Sequence, residues 1–163
     1  MLQFGGHAAA AGMTLRPDQL DDFKLAFEKA VKSQILPEQR QERISYDLEI
    51  SSEDIDPKLY RLIQRFAPFG PENLAPTFLI RGLKNQNSRR VGEEAKHLKL
   101  NLVDPSNGIC LEGIGFNLGK KINLLDSGEE LALIFHLELN DFRGQISLQM
   151  RVLDLKLNRE IDD

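Results

Sequence analysis

The chain has 163 residues, 28% of them charged, 41% hydrophobic and 7% aromatic, with a formal net charge of −4. That length and composition suit one or two small globular domains and exclude a collagen, a disordered tail and a disulfide scaffold. The single cysteine, Cys110, lies in the apolar run GICLEGIGF, which predicts a buried thiol in a reducing compartment and hence a cytoplasmic setting. No apolar run approaches the ~20 residues that span a bilayer, and MLQFGGH lacks the order of a signal peptide, so no membrane role is expected.

Charge is distributed unevenly. Residues 1–80 carry 9 basic and 12 acidic side chains, whereas residues 81–99 carry 6 basic and 2 acidic ones. One local stretch therefore favours a polyanion although the whole chain does not.

The first segment, FGGHAAAAGMTL, has two glycines that permit a sharp turn or a close backbone approach. His7 then opens a run of four alanines, and Gly12 is placed to cap a short helix. A helix N-terminus with so little side-chain bulk is a site for a phosphate, with His7 as an added donor. The bland alternative is that the glycines serve tight packing and His7 caps or packs.

Pro17, the acids Asp18, Asp21 and Asp22, and the stripe Leu20, Phe23, Phe27, Ala30 and Val31 predict a helix over about 17–34. A short strand, ISYDLEI, comes next. A second helix opens with Asp56 and Pro57, carries Leu59, Leu62, Ile63 and Phe66 on one face and stops at Pro68. APFGPENLAP reads as a stiff connector.

After Pro76 the hydrophobic period falls from 3.6 to 2. TFLIRGLK, KHLKLNLV, GICLEGIGF, ELALIFHLEL and QISLQMRVLDLKL read as five main strands. Leu98, Leu100 and Leu102 point inward from the second, and Leu131, Leu133, Phe135, Leu137 and Leu139 from the fourth. In the last strand the apolar parity runs through Ile146, Leu148, Met150 and Val152, then flips to Leu153, Leu155 and Leu157, which predicts a β-bulge near Val152. Asn117–Asp126 suits a short helix. Five strands with a helix inserted there predict an oligonucleotide/oligosaccharide-binding (OB) barrel, with an immunoglobulin-like sandwich as runner-up. The fold class expected is thus α+β, a small helical or αβ N-terminal part followed by a five-stranded OB-type barrel.

FGGHAAAAGMTL resembles the GGHxxAAG signature of the DHH-associated domain in the DHH phosphoesterase superfamily. RFAPFGPENLAPTF, AKHLKLNL, GIGFN and NDFRGQISLQMRVLDL resemble, in order, segments of the bacterial RecJ single-strand-specific exonucleases. The resemblance divides the chain into the end of a DHH-associated domain (1–43), a strand–helix connector with a Pro-rich joint (44–75) and an OB domain (76–163). It implies a C-terminal fragment of a nuclease that degrades single-stranded DNA 5′ to 3′ in repair and recombination. It also implies a divalent metal, manganese or magnesium, held by Asp and His residues of a DHH segment outside these residues. The chain has no DHH triplet, and His7, His97 and His136 have no metal-ligand spacing. The fragment is expected to hold no metal or other cofactor and to bind rather than cut.

Carried over by position, the resemblance assigns Gly5, Gly6 and His7 to the backbone of the bound strand. In the OB part the expected single-stranded-DNA contacts are Arg89 and Arg90 in NQNSRRVGEEA, Phe142 and Arg143 in NDFRG, and His97 and Lys99 on the outward face of the second strand. The bland readings are a soluble exposed turn for the arginines, a loop anchor for Phe142, a satisfied core or partner-facing role for His136, and a solvated helix face for Lys120 and Lys121. Two other functions stay open: a module docking single-strand-binding protein, and a DHH-type phosphoesterase acting on short RNA or nucleotides.

Overall fold

Alternating leucines can satisfy a strand only if one face is buried, and residues 76–161 meet that condition by closing a barrel. The computed structural model describes residues 3–36, 43–142 and 144–161 and leaves the Phe142 side chain undescribed. It divides into two compact units, residues 1–43 and 44–163.

In the first unit, β1 (Gln3–His7) and β2 (Ala10–Thr14) pair antiparallel, with Gly5 opposite Gly12 and His7 opposite Ala10. The short helix expected over the alanine run is therefore a hairpin. Ala8 and Ala9 form its turn, and Gly12 lies in a strand rather than at a helix cap. Four alanines are too few to nucleate a helix in isolation, whereas the hairpin gives their backbone groups partners. Gly6 has a steric reason to be glycine, since a Cβ there would lie 2.6 Å from the Ala10 carbonyl oxygen. A 3₁₀ turn at Pro17–Gln19 leads into α1 (Leu20–Gln34), as expected from Pro17 and the acids that follow it.

The second unit begins with β3 (Leu48–Glu49), which runs parallel to β4 (Phe78–Asn85). Between them, α2 (Pro57–Ile63) starts where the Asp56 carboxylate accepts the Leu59 N–H at 2.7 Å, an N-cap followed by proline. Its expected face is only partly used: Leu59 and Ile63 pack on the core, while Leu62 and Phe66 are exposed. The helix ends in a 3₁₀ turn at Gln64–Phe66, which leaves Phe66 exposed at its end. Residues 44–75 thus pack in the same unit as the barrel, with Ile50 and Ile63 in its core.

The barrel strands are β4, β6 (His97–Val103), β7 (Cys110–Gly115), β8 (Leu131–Phe142) and β9 (Gln145–Leu157), with a short β5 (Arg89–Val91) paired to the edge of β6. Their order is β4-β8-β9-β7-β6, and β4 pairs with β6 to close the ring. β4 reaches both neighbours by bending between Ile80 and Leu83, where Gly82 has φ +78°. β7 and β9 are parallel and the other main pairs antiparallel. This connectivity is that of an OB barrel and not of a sandwich, with a 3₁₀ turn (Gly119–Lys121) and α3 (Ile122–Leu125) inserted after β7.

Leu98, Leu100, Leu102, Leu131 and Phe135 have no measurable exposure, and each contributes about 1.5–3 kcal/mol of burial. The bulge lies where the parity flip places it: Ile134 pairs with Asp154 and Phe135 with Val152, so Leu153 is the extra residue. Two expectations of burial fail. Leu139 and Ile146 are 48% and 64% exposed, because the β8–β9 hairpin runs on beyond the barrel wall. Cys110 is exposed: Leu111, Gly113 and Gly115 take the inward face of β7, which leaves Cys110 and Glu112 outward.

Candidate nucleic-acid interface

Strand parity decides which side chains meet on the outside of the barrel. On β6 the leucines take the inside, so His97 and Lys99 face out. On β7 the same alternation turns Glu112 and Ile114 outward, with Phe116 directly after the strand, and β9 is aligned so that Arg151 lies beside Ile114. β5 adds Arg89 directly opposite Lys99. The projecting β8–β9 hairpin supplies Asn140, Ser147 and Gln149 as a second wall, and the groove so formed has a volume of about 680 Å³.

One side of the groove is cationic and aromatic. Lys99 Nζ lies 3.1 Å from the Glu112 carboxylate, which partly neutralises it, while Arg89 is exposed with no partner among the described residues. Phe116 is half exposed, with the His97 ring meeting it edge-on at 5.3 Å between centroids and the Arg151 guanidinium 5.7 Å from its ring centre. The Asn117 N–H donates to His97 Nδ1 at 2.9 Å, which holds the imidazole in place and leaves Nε2 to donate. A supported aromatic face flanked by cations can stack a base and pair with phosphates.

The expected contact residues are only partly brought together. Arg89 and Lys99 line this groove, and His97 reaches it through Phe116. Arg90 does not: the two arginines, read as one pair in a loop, lie in strand β5 and face opposite sides. Arg90 Nε donates to the Gly119 carbonyl at 2.9 Å. Arg143 and the side chain of Phe142 lie outside the described residues. Lys121 is tied to Asp154 and to the Leu155 carbonyl, whereas Lys120 is exposed. His136 Nδ1 lies 2.9 Å from the Pro76 carbonyl oxygen, a half-buried structural contact. Phe116 and Arg151 went unread in the sequence, although the alternation in CLEGIGF already assigns Phe116 to the face opposite Leu111.

In the first unit, Gly5, Gly6 and His7 sit in β1 and not at a helix N-terminus, so no dipole end is present there. The glycines of the pair Gly5–Gly12 have open space where a Cβ would stand, which leaves bare backbone on one hairpin face. His7 Nδ1 accepts the Ala9 N–H at 3.3 Å across the turn.

A second polar cluster anchors residues 51–54 to the barrel. Buried Ser52 donates to Asp104 at 2.5 Å and accepts from Asn107 at 2.9 Å. Hydrogen bonds from Ser106 and then Ser52 hold the Asp104 carboxyl below its ordinary range, and bonds from Ser51 do the same for Asp54.

Residues 46–154 match the family of the RecJ OB domain. Single-stranded-DNA-specific exonuclease RecJ of Haemophilus influenzae is 32% identical over 93% of this chain and 26% of its own length. The Escherichia coli protein of the same name is 32% identical over 92% of this chain and 26% of its own length. The crystal structure of RecJ from Thermus thermophilus in complex with Mg²⁺ superposes over 95% of this chain and 23% of that one, with a TM-score of 0.64 and 23% identity. The chain therefore spans about a quarter of the length of these relatives. A second Thermus structure is a complex with Mn²⁺. The residues here do not fit such an ion: among the described residues no three His, Cys, Asp or Glu side chains are grouped to hold one. No helix among them is long and apolar enough to cross a membrane. With the family match extending from β3 into β9 and the barrel closed in the OB order, the chain belongs to the RecJ family through its OB domain.

Proposed function

We propose that the barrel holds single-stranded DNA and that the chain is the strand-binding part of a RecJ-type exonuclease, degrading single strands 5′ to 3′ in DNA repair and recombination in the bacterial cytoplasm. The observation that supports this most directly is the groove, in which Arg89 and Lys99 lie beside Phe116 on the outer face of β5–β7. Phosphate pairing and base stacking are the two sequence-independent contacts a single strand offers. Phosphodiester hydrolysis, with its divalent manganese or magnesium, belongs in this reading to parts of the enzyme other than residues 1–163.

The β1–β2 hairpin would contact the strand by a different means. Gly5 leaves open space in which a sugar–phosphate backbone can approach main-chain atoms, Gly6 permits the close pairing that holds the hairpin, and His7 stands at the turn as a donor. In the full-length enzyme, His7→Ala should cut kcat/KM by roughly 10- to 150-fold, the loss of a hydrogen bond to a charged group, with little change in Tm. A destabilised but fully active enzyme would rule out the phosphate role.

Titrating a labelled single-stranded oligonucleotide tests the groove. Arg89→Ala with Lys99→Ala should weaken binding and flatten the plot of log K against log salt by up to ~2, one per lost phosphate contact. Unchanged affinity and slope, with retained binding of the acidic tail of single-strand-binding protein, would favour a docking module instead.

A further inference from the structure

β5 has two faces, and the groove uses only one of them. On the other, Arg90, Lys96 and Lys120 surround a separate depression of about 500 Å³ that is also lined by Glu94, Ala95, Asn117 and Gly119. We infer that this depression is a second phosphate site, taking the backbone of the same strand after it leaves the groove over the β5 edge. The inference rests on the single-strand reading of the groove.

The site is built by two loops locked against each other. Gly119 N–H donates to the Lys96 carbonyl at 2.7 Å, and Arg90 Nε donates to the Gly119 carbonyl, which holds the guanidinium and leaves its terminal amines free to form a fork. A Cβ at Gly119 would lie 2.3 Å from the Ala95 carbonyl oxygen, so only glycine permits this approach. Glu94, Ala95 and Asn117, none of them glycine, have φ of 54°, 54° and 61°. Three residues held in the left-handed region around one depression mark a conformation imposed by its surroundings. Three cations converge here against one carboxylate, Glu94, which pairs with Lys96 at 2.7 Å. Lys120 has no partner among the described residues.

Two observations favour a nucleic-acid phosphate over an acidic peptide. The lining has no apolar side chain larger than that of Ala95, so a peptide's hydrophobic anchor would find no seat. Arg89 and Arg90 are consecutive, so one strand can pass from groove to depression across a single extended peptide unit.

The experiment compares two oligonucleotides, of about 4 and about 16 nucleotides, which bracket the footprint of one OB fold. Lys96→Ala with Lys120→Ala removes exposed side chains that hold no other element in place. On the longer strand it should weaken binding about 3- to 10-fold and flatten the salt slope by ~1 to 2, while the short strand binds as before. The groove variant Arg89→Ala with Lys99→Ala, run in parallel, should weaken both lengths. If it does and the lysine variant changes neither length, the second site is refuted and the groove reading stands. If the groove variant changes neither, both fall. Equal weakening of both lengths by the lysine variant would overturn a separate site. Intact DNA binding with loss of a polyglutamate peptide would overturn it in favour of a protein partner.

Discussion

The two units of this chain are held together by different physics. In the first, none of the described residues is fully buried, and Phe4, Leu25 and Phe27 are 76%, 73% and 55% exposed. Its hairpin and helix are defined by local terms: strand pairing, a proline at the helix start and i,i+4 pairs such as Glu28–Lys32 at 2.9 Å. In the second, a closed sheet surrounds a continuous apolar core, and even the turn-forming residues 51–54 are tied to it through Ser52. The two sets of candidate contacts differ accordingly. The groove wall formed by Lys99, Glu112 and Ile114 stands on barrel strands and is preorganised by that core, whereas the Gly5–His7 hairpin offers main chain and little else.

Truncating one phenylalanine in each unit should separate the two most strongly. Phe135→Ala, in the barrel, should cost about 3–5 kcal/mol in urea unfolding, while Phe27→Ala, on α1, should cost less than about 1 kcal/mol. Equal costs would mean that the exposed helix face is buried in solution. Next in size is Phe116→Ala, which should lower single-strand affinity by about 1–3 kcal/mol while leaving the unfolding midpoint nearly unchanged, because the ring is half exposed.

An acid titration separates the units more gently. Asp104 and Asp54 have folded pKa values below the ordinary 3.8, so their stabilising effect is complete above that pH. It is lost as pH falls through the lowered values. Both groups lie in the second unit, so its Tm should fall at acid pH, and Ser52→Ala should shrink that dependence. A dependence identical in the Ser52 variant would assign acid sensitivity to other carboxylates. The smallest effect should come from Glu112→Gln, which releases Lys99 and should raise single-strand affinity by about 0.2–1 kcal/mol. Weaker binding instead would mean that Glu112 contacts the strand or positions Lys99 for it.

Much of the barrel was legible because a half-buried strand has a period of two and only one register buries its apolar face. Leu98, Leu100 and Leu102 show it, and the flip from Val152 to Leu153 located the bulge. Start signals worked for the same local reason: Asp56 with Pro57 caps α2 as read. The failures lie where two local solutions compete or where burial depends on an element's end. FGGHAAAAGMTL could turn into helix or hairpin, and the cross-strand pairing from Gln3–Thr14 to His7–Ala10 satisfies the backbone as a hairpin. Leu139 and Ile146 continue an inward parity beyond the wall, where nothing remains to bury them.

For the candidate site, the residue types and, through strand parity, the side of the sheet on which each stands follow from the order of residues alone: Lys99 and His97 outward from the leucines, Phe116 opposite Leu111. Which of these meet depends on how the strands close. Arg89 and Arg90 were inseparable as a charge pair, yet making β5 a paired strand sends one to Lys99 and the other to Gly119. The reason is that side-chain alternation is a property of one strand, while the partner across a sheet is set by barrel closure. Closure depends on contacts between segments that lie far apart in the chain.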